Sequence, residues 1–332
     1  MERTTSSSSG DYDSSTAFSS CNSDISGEFP PSRRLILSCA AENSDELIHE
    51  LVHSLGSVSI DEQKQAALEL RLLAKNKQEN RLKIAQAGAI KPLISIISSS
   101  DHHLQENGVT AILNLSLCDE NKHQIKSLGT IKPLVSALKT GTAATRENSA
   151  CALLRLAESE EDKAVIGRAG AIGPLVNLLE TGGIRGKKDA ATALYSLCET
   201  TENKVRAVDA GIVKPLVELM AEIGSNMVEK AGFVLKGLIA IPEARVELVK
   251  ESGIPVLVEI VEVGNRRQKE IAVAILLQLC EESSLFCNIV AREGAIPPLI
   301  SLSQSSTSSA KKKVIFSPIR IYPNSHFVFI CS

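Results

Sequence analysis

An all-α solenoid of about six stacked helical units is the fold this sequence predicts, and three observations predict it. First, glycine recurs at Gly88, Gly129, Gly170, Gly211, Gly253 and Gly294. Second, the leucines that follow, at Leu93, Leu134, Leu175, Leu216, Leu257 and Leu299, are spaced by 41, 41, 41, 41 and 42 residues. A period near 40 marks helical units too small to bury their own apolar face, so each leans on the next. Third, the chain is 43% hydrophobic yet has only seven phenylalanines, three tyrosines and no tryptophan. Aliphatic side chains and alanine must therefore build the core, as closely packed helices allow. Such an array offers a surface for binding, not an enclosed catalytic pocket.

The 332 residues divide into three parts. Residues 1–42 form a serine-rich leader with few apolar residues, a composition that cannot repay the entropy of folding and predicts disorder. Ser14, Ser23 and Ser26 lie near acidic residues and are candidates for phosphorylation, whose charge would draw the leader onto a basic surface. Residues 43–302 hold the repeats, with units starting near 44, 87, 128, 169, 210, 252 and 293. Residues 303–332 form an irregular tail and an incomplete last repeat. There Lys311 to Lys313 and the apolar pieces Val314–Phe316 and Phe327–Ile330 replace the long helix the register calls for, as an alternative transcript or gene-model end would produce. The apolar face left by that missing helix is expected to be exposed.

Within a unit the elements follow one order, which the stretch from Gly129 to Leu156 illustrates. Gly129 suits the positive φ that ends a helix and turns the chain. Pro133 fits the first turn of the next helix, where its missing N–H has no partner to lose. Leu134, Val135, Ala137 and Leu138 then give helical apolar spacing, and Gly141 breaks the run. A longer helix follows from about Thr145, with Ala150, Leu153, Leu154 and Leu156 on its apolar face. A charged turn, Glu158 to Asp162, and a short apolar piece, Val165-Ile166, lead to Gly170. Three helices per unit, one of them short, is the expectation.

Cys118, Cys198 and Cys280 each close an apolar helical run and read as one repeat position, with alanine there at Ala157 and Ala240. A slot shared by cysteine and alanine wants a small buried residue, and free thiols in a core suit the reducing cytosol or nucleus. The serine-rich beginning has no secretory signal pattern. The longest aliphatic run, Ile271 to Leu277, is far short of the roughly 20 residues that span a bilayer. Lysine and arginine (36) nearly balance aspartate and glutamate (39), so no basic stripe points to nucleic acid.

Two sequence patterns carry a resemblance. The run A-G-A-I-x-P-L-[IV]-x-L-[IL] followed by E-N-x-A-x-A-L-L-x-L resembles the armadillo repeat over about residues 44–302. Gln65 to Lys75, with Glu79-Asn80-Arg81 and Ala85 to Gly88, is similar to the opening repeat in the armadillo region of plant U-box ubiquitin ligases. The resemblance implies a right-handed superhelical armadillo solenoid whose longest helices line a concave groove. It implies a non-catalytic scaffold or adaptor that binds an extended protein or peptide segment in ubiquitin-dependent signalling. The alternative is a component of an E3 ubiquitin ligase with transfer activity. Residues 1–42 hold nothing like a U-box with its Cys-Pro-Ile type core, which favours an armadillo-only member. No cofactor or metal is expected.

One helical stripe at i, i+3 and i+7 gives the groove-facing set. It reads Asn107, Thr110, Asn114; Asn148, Cys151, Arg155; Asp189, Thr192, Ser196; Lys230, Phe233, Gly237; and Ile271, Ala274, Gln278. Lys64, Ala67 and Arg71 begin the ladder with a shift of about two residues. The resemblance places Asn114 where armadillo proteins hold a peptide backbone, for which an amide has both donor and acceptor. Importin-α-like receptors carry tryptophan one turn earlier; here those positions are Thr110, Cys151, Thr192, Phe233 and Ala274, so an import receptor is excluded. Lys64, Arg71, Arg155 and Lys230 against Asp189 make a mildly basic lining suited to an acidic or phosphorylated segment, unless these are ordinary solvated charges. Helices about 9–10 Å apart over six units give a groove of roughly 50 Å. That length takes about 15 extended residues at ~3.3 Å each.

Other chemistries fail on their residues. Gly182 to Lys188 looks superficially like a phosphate loop, but Lys188 stands where magnesium needs Ser or Thr, and no strand precedes it. His102 and His103 are adjacent and point to different sides of a helix, with no third ligand near in sequence. The chain has no HExxH, no Gly-x-Ser-x-Gly elbow and no paired-cysteine zinc motif.

Overall fold

The computed structural model describes residues 44–304, and the leader and the tail beyond Gln304 lie outside them. The described residues form nineteen helices and no strand. The first unit supplies α1 (Ser44–Ser54) and α2 (Ile60–Asn76). Each later unit adds a short helix, a middle helix and a groove helix. They are α3 (Gln78–Gln86), α4 (Ile90–Ile97) and α5 (His102–Leu115); α6 (Asp119–Ser127), α7 (Ile131–Thr140) and α8 (Ala143–Leu156). Next come α9 (Glu160–Arg168), α10 (Ile172–Thr181) and α11 (Ile184–Leu197); α12 (Thr201–Asp209), α13 (Val213–Ala221) and α14 (Val228–Leu238). Then α15 (Pro242–Lys250), α16 (Gly253–Val263) and α17 (Arg266–Glu282) lead to α18 (Ser284–Arg292) and α19 (Ile296–Gln304).

Local chemistry explains the boundaries. Gly88, Gly129, Gly170, Gly211 and Gly294 all take positive φ, between 77° and 89°, and turn the short helix into the middle one. Pro92, Pro133, Pro174 and Pro215 stand third in their helices, where the backbone N–H is unpaired in any helix. Four of the six groove helices start at side-chain caps, α11 and α14 excepted: Ser59 accepts from the Glu62 N–H, Asp101 from His103 and Leu104, and Thr142 from Thr145. Asn265 and Gln268 form a reciprocal capping box at α17. The groove helices α2, α5, α8, α11, α14 and α17 pack each on the next, backed by the middle helices. The core runs unbroken between them, with Leu93, Leu134, Leu175 and Leu216 all fully buried. Each such leucine contributes about 1.5–3 kcal/mol by leaving water.

Three details differ from the sequence reading. The charged turn at Glu158 to Asp162 is in fact the start of a nine-residue helix, α9, with Ser159 and Asp162 as its capping box. The left-handed position of the fifth glycine unit belongs to Ser252 (φ 56°), not Gly253. Leu216 and Leu257 lie 41 apart, so the register itself places Ser252 opposite Gly211. Gly253 is instead the first residue of α16, where an added Cβ would come within 2.1 Å of Leu248 Cδ1. Finally, the shared cysteine position holds for Cys198, Cys280 and Ala157 but not for Cys118 or Ala240. In the 41-residue register Ser116, Ala157, Cys198, Ile239 and Cys280 correspond, and all five are buried. Cys118 lies two residues later as the N-cap of α6, its thiol bonded to Glu120, and Ala240 is exposed.

Candidate partner-binding groove

The ten candidate groove residues sit on six consecutive groove helices: Arg71 on α2, Asn107 and Asn114 on α5, and Asn148 and Arg155 on α8. Asp189 and Ser196 follow on α11, Lys230 and Phe233 on α14, and Gln278 on α17. Four of them make hydrogen bonds that cross from helix to helix. Arg71 Nη1 donates to Asn107 Oδ1 at 2.9 Å, and Asn114 Nδ2 donates to the Arg71 carbonyl at 3.0 Å. Asn148 Nδ2 donates to Thr110 Oγ1 at 2.9 Å, while Arg185 Nη2 donates to Asn148 Oδ1 at 2.8 Å. Candidate groove residues therefore clamp neighbouring units together.

Burial sorts the set. Asn114 is 1% exposed, Asn148 4% and Asp189 6%, so these three lie beneath the surface. Asn114 Oδ1 and Arg155 Nε are buried without a hydrogen-bond partner among the described residues. Arg71, Asn107, Arg155, Ser196, Lys230, Phe233 and Gln278 remain partly exposed. Burial pushes the Arg71 guanidinium below its ordinary range, opposed by the Glu106 carboxylate 3.9 Å away. Lys64, which begins the ladder, bonds to Asp101 at 2.7 Å, and this bond raises the lysine and lowers the aspartate.

Sequence reading missed the ion pairs that accompany the stripe. Arg185 on α11 meets Glu147 on α8 at 3.4 Å and its own Asp189 at 3.5 Å. Arg267 on α17 meets Glu229 on α14 at 3.2 Å, with its guanidinium 5.5 Å from the Phe233 ring centroid. Glu147 and Glu229 are 82 residues apart, as are Arg185 and Arg267. That double period was the available signal: one interface pair is written twice, two units apart. Cation–π contact adds about 0.5–1 kcal/mol to the second copy.

The repeated helix triplets find their counterpart among known proteins. The armadillo-repeat region of plant U-box proteins matches residues 45–315. The chain belongs to that family. It is 50% identical over 72 residues to U-box domain-containing protein 4 of Arabidopsis thaliana, covering 22% of this chain and 9% of that protein. The E3 ubiquitin-protein ligase SPL11 of Oryza sativa subsp. japonica is 52% identical over 73 residues, which are 22% of this chain and 10% of the ligase. U-box domain-containing protein 13 of Arabidopsis thaliana is 40% identical over 99 residues, 29% of this chain and 15% of the relative. The matched stretches are thus a small part of these relatives.

Among solved structures, a crystallised engineered protein superposes with a TM-score of 0.69 at 26% identity, covering 80% of this chain and 66% of that one. A designed armadillo repeat protein in complex with the peptide (KR)4 superposes with a TM-score of 0.60 at 24% identity, covering 70% of this chain and 98% of the other. The fold of this family member is the right-handed superhelical armadillo solenoid.

Proposed function

We propose that this armadillo chain is a non-catalytic scaffold or adaptor that holds an extended protein segment along its concave row, in ubiquitin-dependent signalling. One observation carries the reading: a row of polar side chains and Phe233 on successive groove helices, clamped across units from Arg71 to Arg185 and again at Arg267. Peptide binding by a designed armadillo neighbour supports it. The partly exposed cations Arg71, Arg155 and Lys230 favour a segment with carboxylates or phosphates, to which guanidinium and ammonium groups bond strongly. The five described cysteines are free and buried, which suits a reducing cytosol or nucleus.

A second reading, a component with ubiquitin-transfer activity of its own, draws on the relative that is an E3 ligase. One experiment separates the two. Purified full chain is incubated with ubiquitin, activating and conjugating enzymes, with and without a separate ligase. The scaffold reading expects no ubiquitin conjugates without the added ligase. Self-modification by the chain alone decides for the second. In parallel, affinity capture with wild type and with Arg155→Glu plus Lys230→Glu should lose acidic partners from the double variant.

A further inference from the structure

The concave row changes character half-way. From α5 to the middle of α11, Asn107 and Arg155 apart, its residues are buried: Thr110, Asn114, Asn148, Cys151, Asp189 and Thr192. From there on, Ile271 apart, they are partly exposed: Ser196, Lys230, Phe233, Gly237, Ala274 and Gln278. The open half is also where an unexplained glycine sits. Beyond the first helical turns, the described helices contain Gly108, Gly167, Gly232 and Gly237. A Cβ at Gly108 or Gly232 would press within 2.7 Å of an isoleucine, and at Gly167 within 1.8 Å of Asn203, so internal packing explains these three. At Gly237 a Cβ would meet nothing within 4 Å. Glycine in a helix costs stability relative to alanine, so an open glycine needs a reason outside the folded chain. Close approach of another molecule is such a reason.

Gly237 lies one turn after Phe233 on α14, in register with Ser196 on α11 and Gln278 on α17. With no side chain at Gly237, the face of α14 one turn beyond Phe233 is left open, a notch beside that ring. Lys230 and Lys236 stand three residues to either side of Phe233 on α14. The Arg267 guanidinium lies 5.5 Å from the ring centroid, while Glu229 and Glu270 pair with Arg267 and Arg266, each at 3.2 Å. Resting on the scaffold reading above, we infer that recognition is concentrated in this notch. It receives one large apolar side chain of an extended partner segment, placed over Gly237 against Phe233, with flanking carboxylates towards the lysines. The hydrogen-bonded first half holds the curvature of the groove and contributes little to affinity.

The test uses the full chain and two fluorescein-labelled peptides of glycine, serine and aspartate, one with a central tryptophan and one with alanine there. Fluorescence polarisation should show the tryptophan peptide binding better. Gly237→Leu, which fills the notch, should weaken it about tenfold, the loss of one well-buried anchor, with no fall in Tm because nothing inside the fold is crowded. Phe233→Ala should weaken it too, and Lys132→Ala, on the exposed side of the middle helix α7 and outside the row, should leave it within about twofold. Equal binding of both peptides, or full binding by Gly237→Leu, overturns the notch. Binding that responds to Asn107→Ala and not to Gly237→Leu overturns the notch and keeps the groove. Binding of neither peptide overturns both readings.

Discussion

Single residues in this solenoid answer to the repeat register before they answer to their own chemistry. Ser252 shows it: the register demands a left-handed turn there, and serine adopts φ 56° where the other units place glycine. A side chain in that region costs about 1–2 kcal/mol, and glycine returns part of this as chain entropy. Ser252→Gly is therefore expected to stabilise the fold by about 0.5–1 kcal/mol, seen as a higher urea midpoint with an unchanged slope. A lowered midpoint would contradict the assignment. Gly167 makes the opposite case. Its missing Cβ leaves room for Asn203, whose Oδ1 would lie 1.8 Å from it, so Gly167→Ala should destabilise by about 1–3 kcal/mol through overpacking. Cys198 illustrates a third kind of constraint. Burial pushes its thiol up to about 12, so it stays protonated and inert near neutral pH. Peptide-resolved alkylation with iodoacetamide should spare Cys198 in the native chain and label it in concentrated urea; labelling of both alike would show that its cover opens readily.

At the scale of the helix, the short elements α3, α6, α12 and α15 each act as a clasp on the groove helix before them. Asn203 donates to the Leu197 carbonyl at the end of α11 and to the Lys163 carbonyl on α9, both at 2.9 Å. Asn121 makes the same pair of bonds to Leu115 and Arg81, and Asn80 bonds to Leu73. In α15 the asparagine position is Ala244, and Arg245 takes over by donating to Ile239 and Ala240. These donors satisfy carbonyls that every helix end leaves open. Asn203→Ala removes both bonds in a fully buried place and should cost about 1–2 kcal/mol, the worth of buried hydrogen bonds lost. An unchanged urea midpoint would show that water replaces the amide. The clasp also explains what sequence could and could not convey. Gly-to-Leu spacing revealed the middle helices, because one turn glycine and one buried leucine per unit survive in almost every copy. The short helix α9 reads as a charged turn because Glu160, Glu161 and Asp162 dominate its start, while Ile166 is its one fully buried aliphatic side chain. Groove assignment shared that limit: the stripe falls on consecutive helices, but whether Asn114 or Gln278 reaches the surface depends on how closely neighbouring helices approach. No periodicity within one helix records that distance.

Across the whole molecule, units meet only their neighbours, so stability is a sum of interface terms and anything that weakens every interface acts on the entire stack. Acid is such a lever, because several carboxylates reach across or brace those interfaces. Asp101 is held below its ordinary range by its bond to Lys64 on α2, and Asp119 by its bond to Lys122. Burial pushes Asp162 up, but Lys126 on α6 and the Ser159 cap outweigh it and hold it low. Glu202 is lowered by Arg206 on its own helix and also faces Arg168 on α9. For a group depressed in the folded state, the stabilising contribution is complete above the unfolded value, near 4 for these carboxylates, and is lost as pH falls through the folded value. Each pair is solvent-facing and individually weak, but the loss repeats along the stack. Thermal unfolding should therefore give a Tm that is level from about pH 7 to 5, falling steadily below about pH 4. Added salt should flatten the profile by screening the same pairs. A Tm that rises on acidification, or an acid slope indifferent to salt, would show that the interfaces are held by their apolar faces alone.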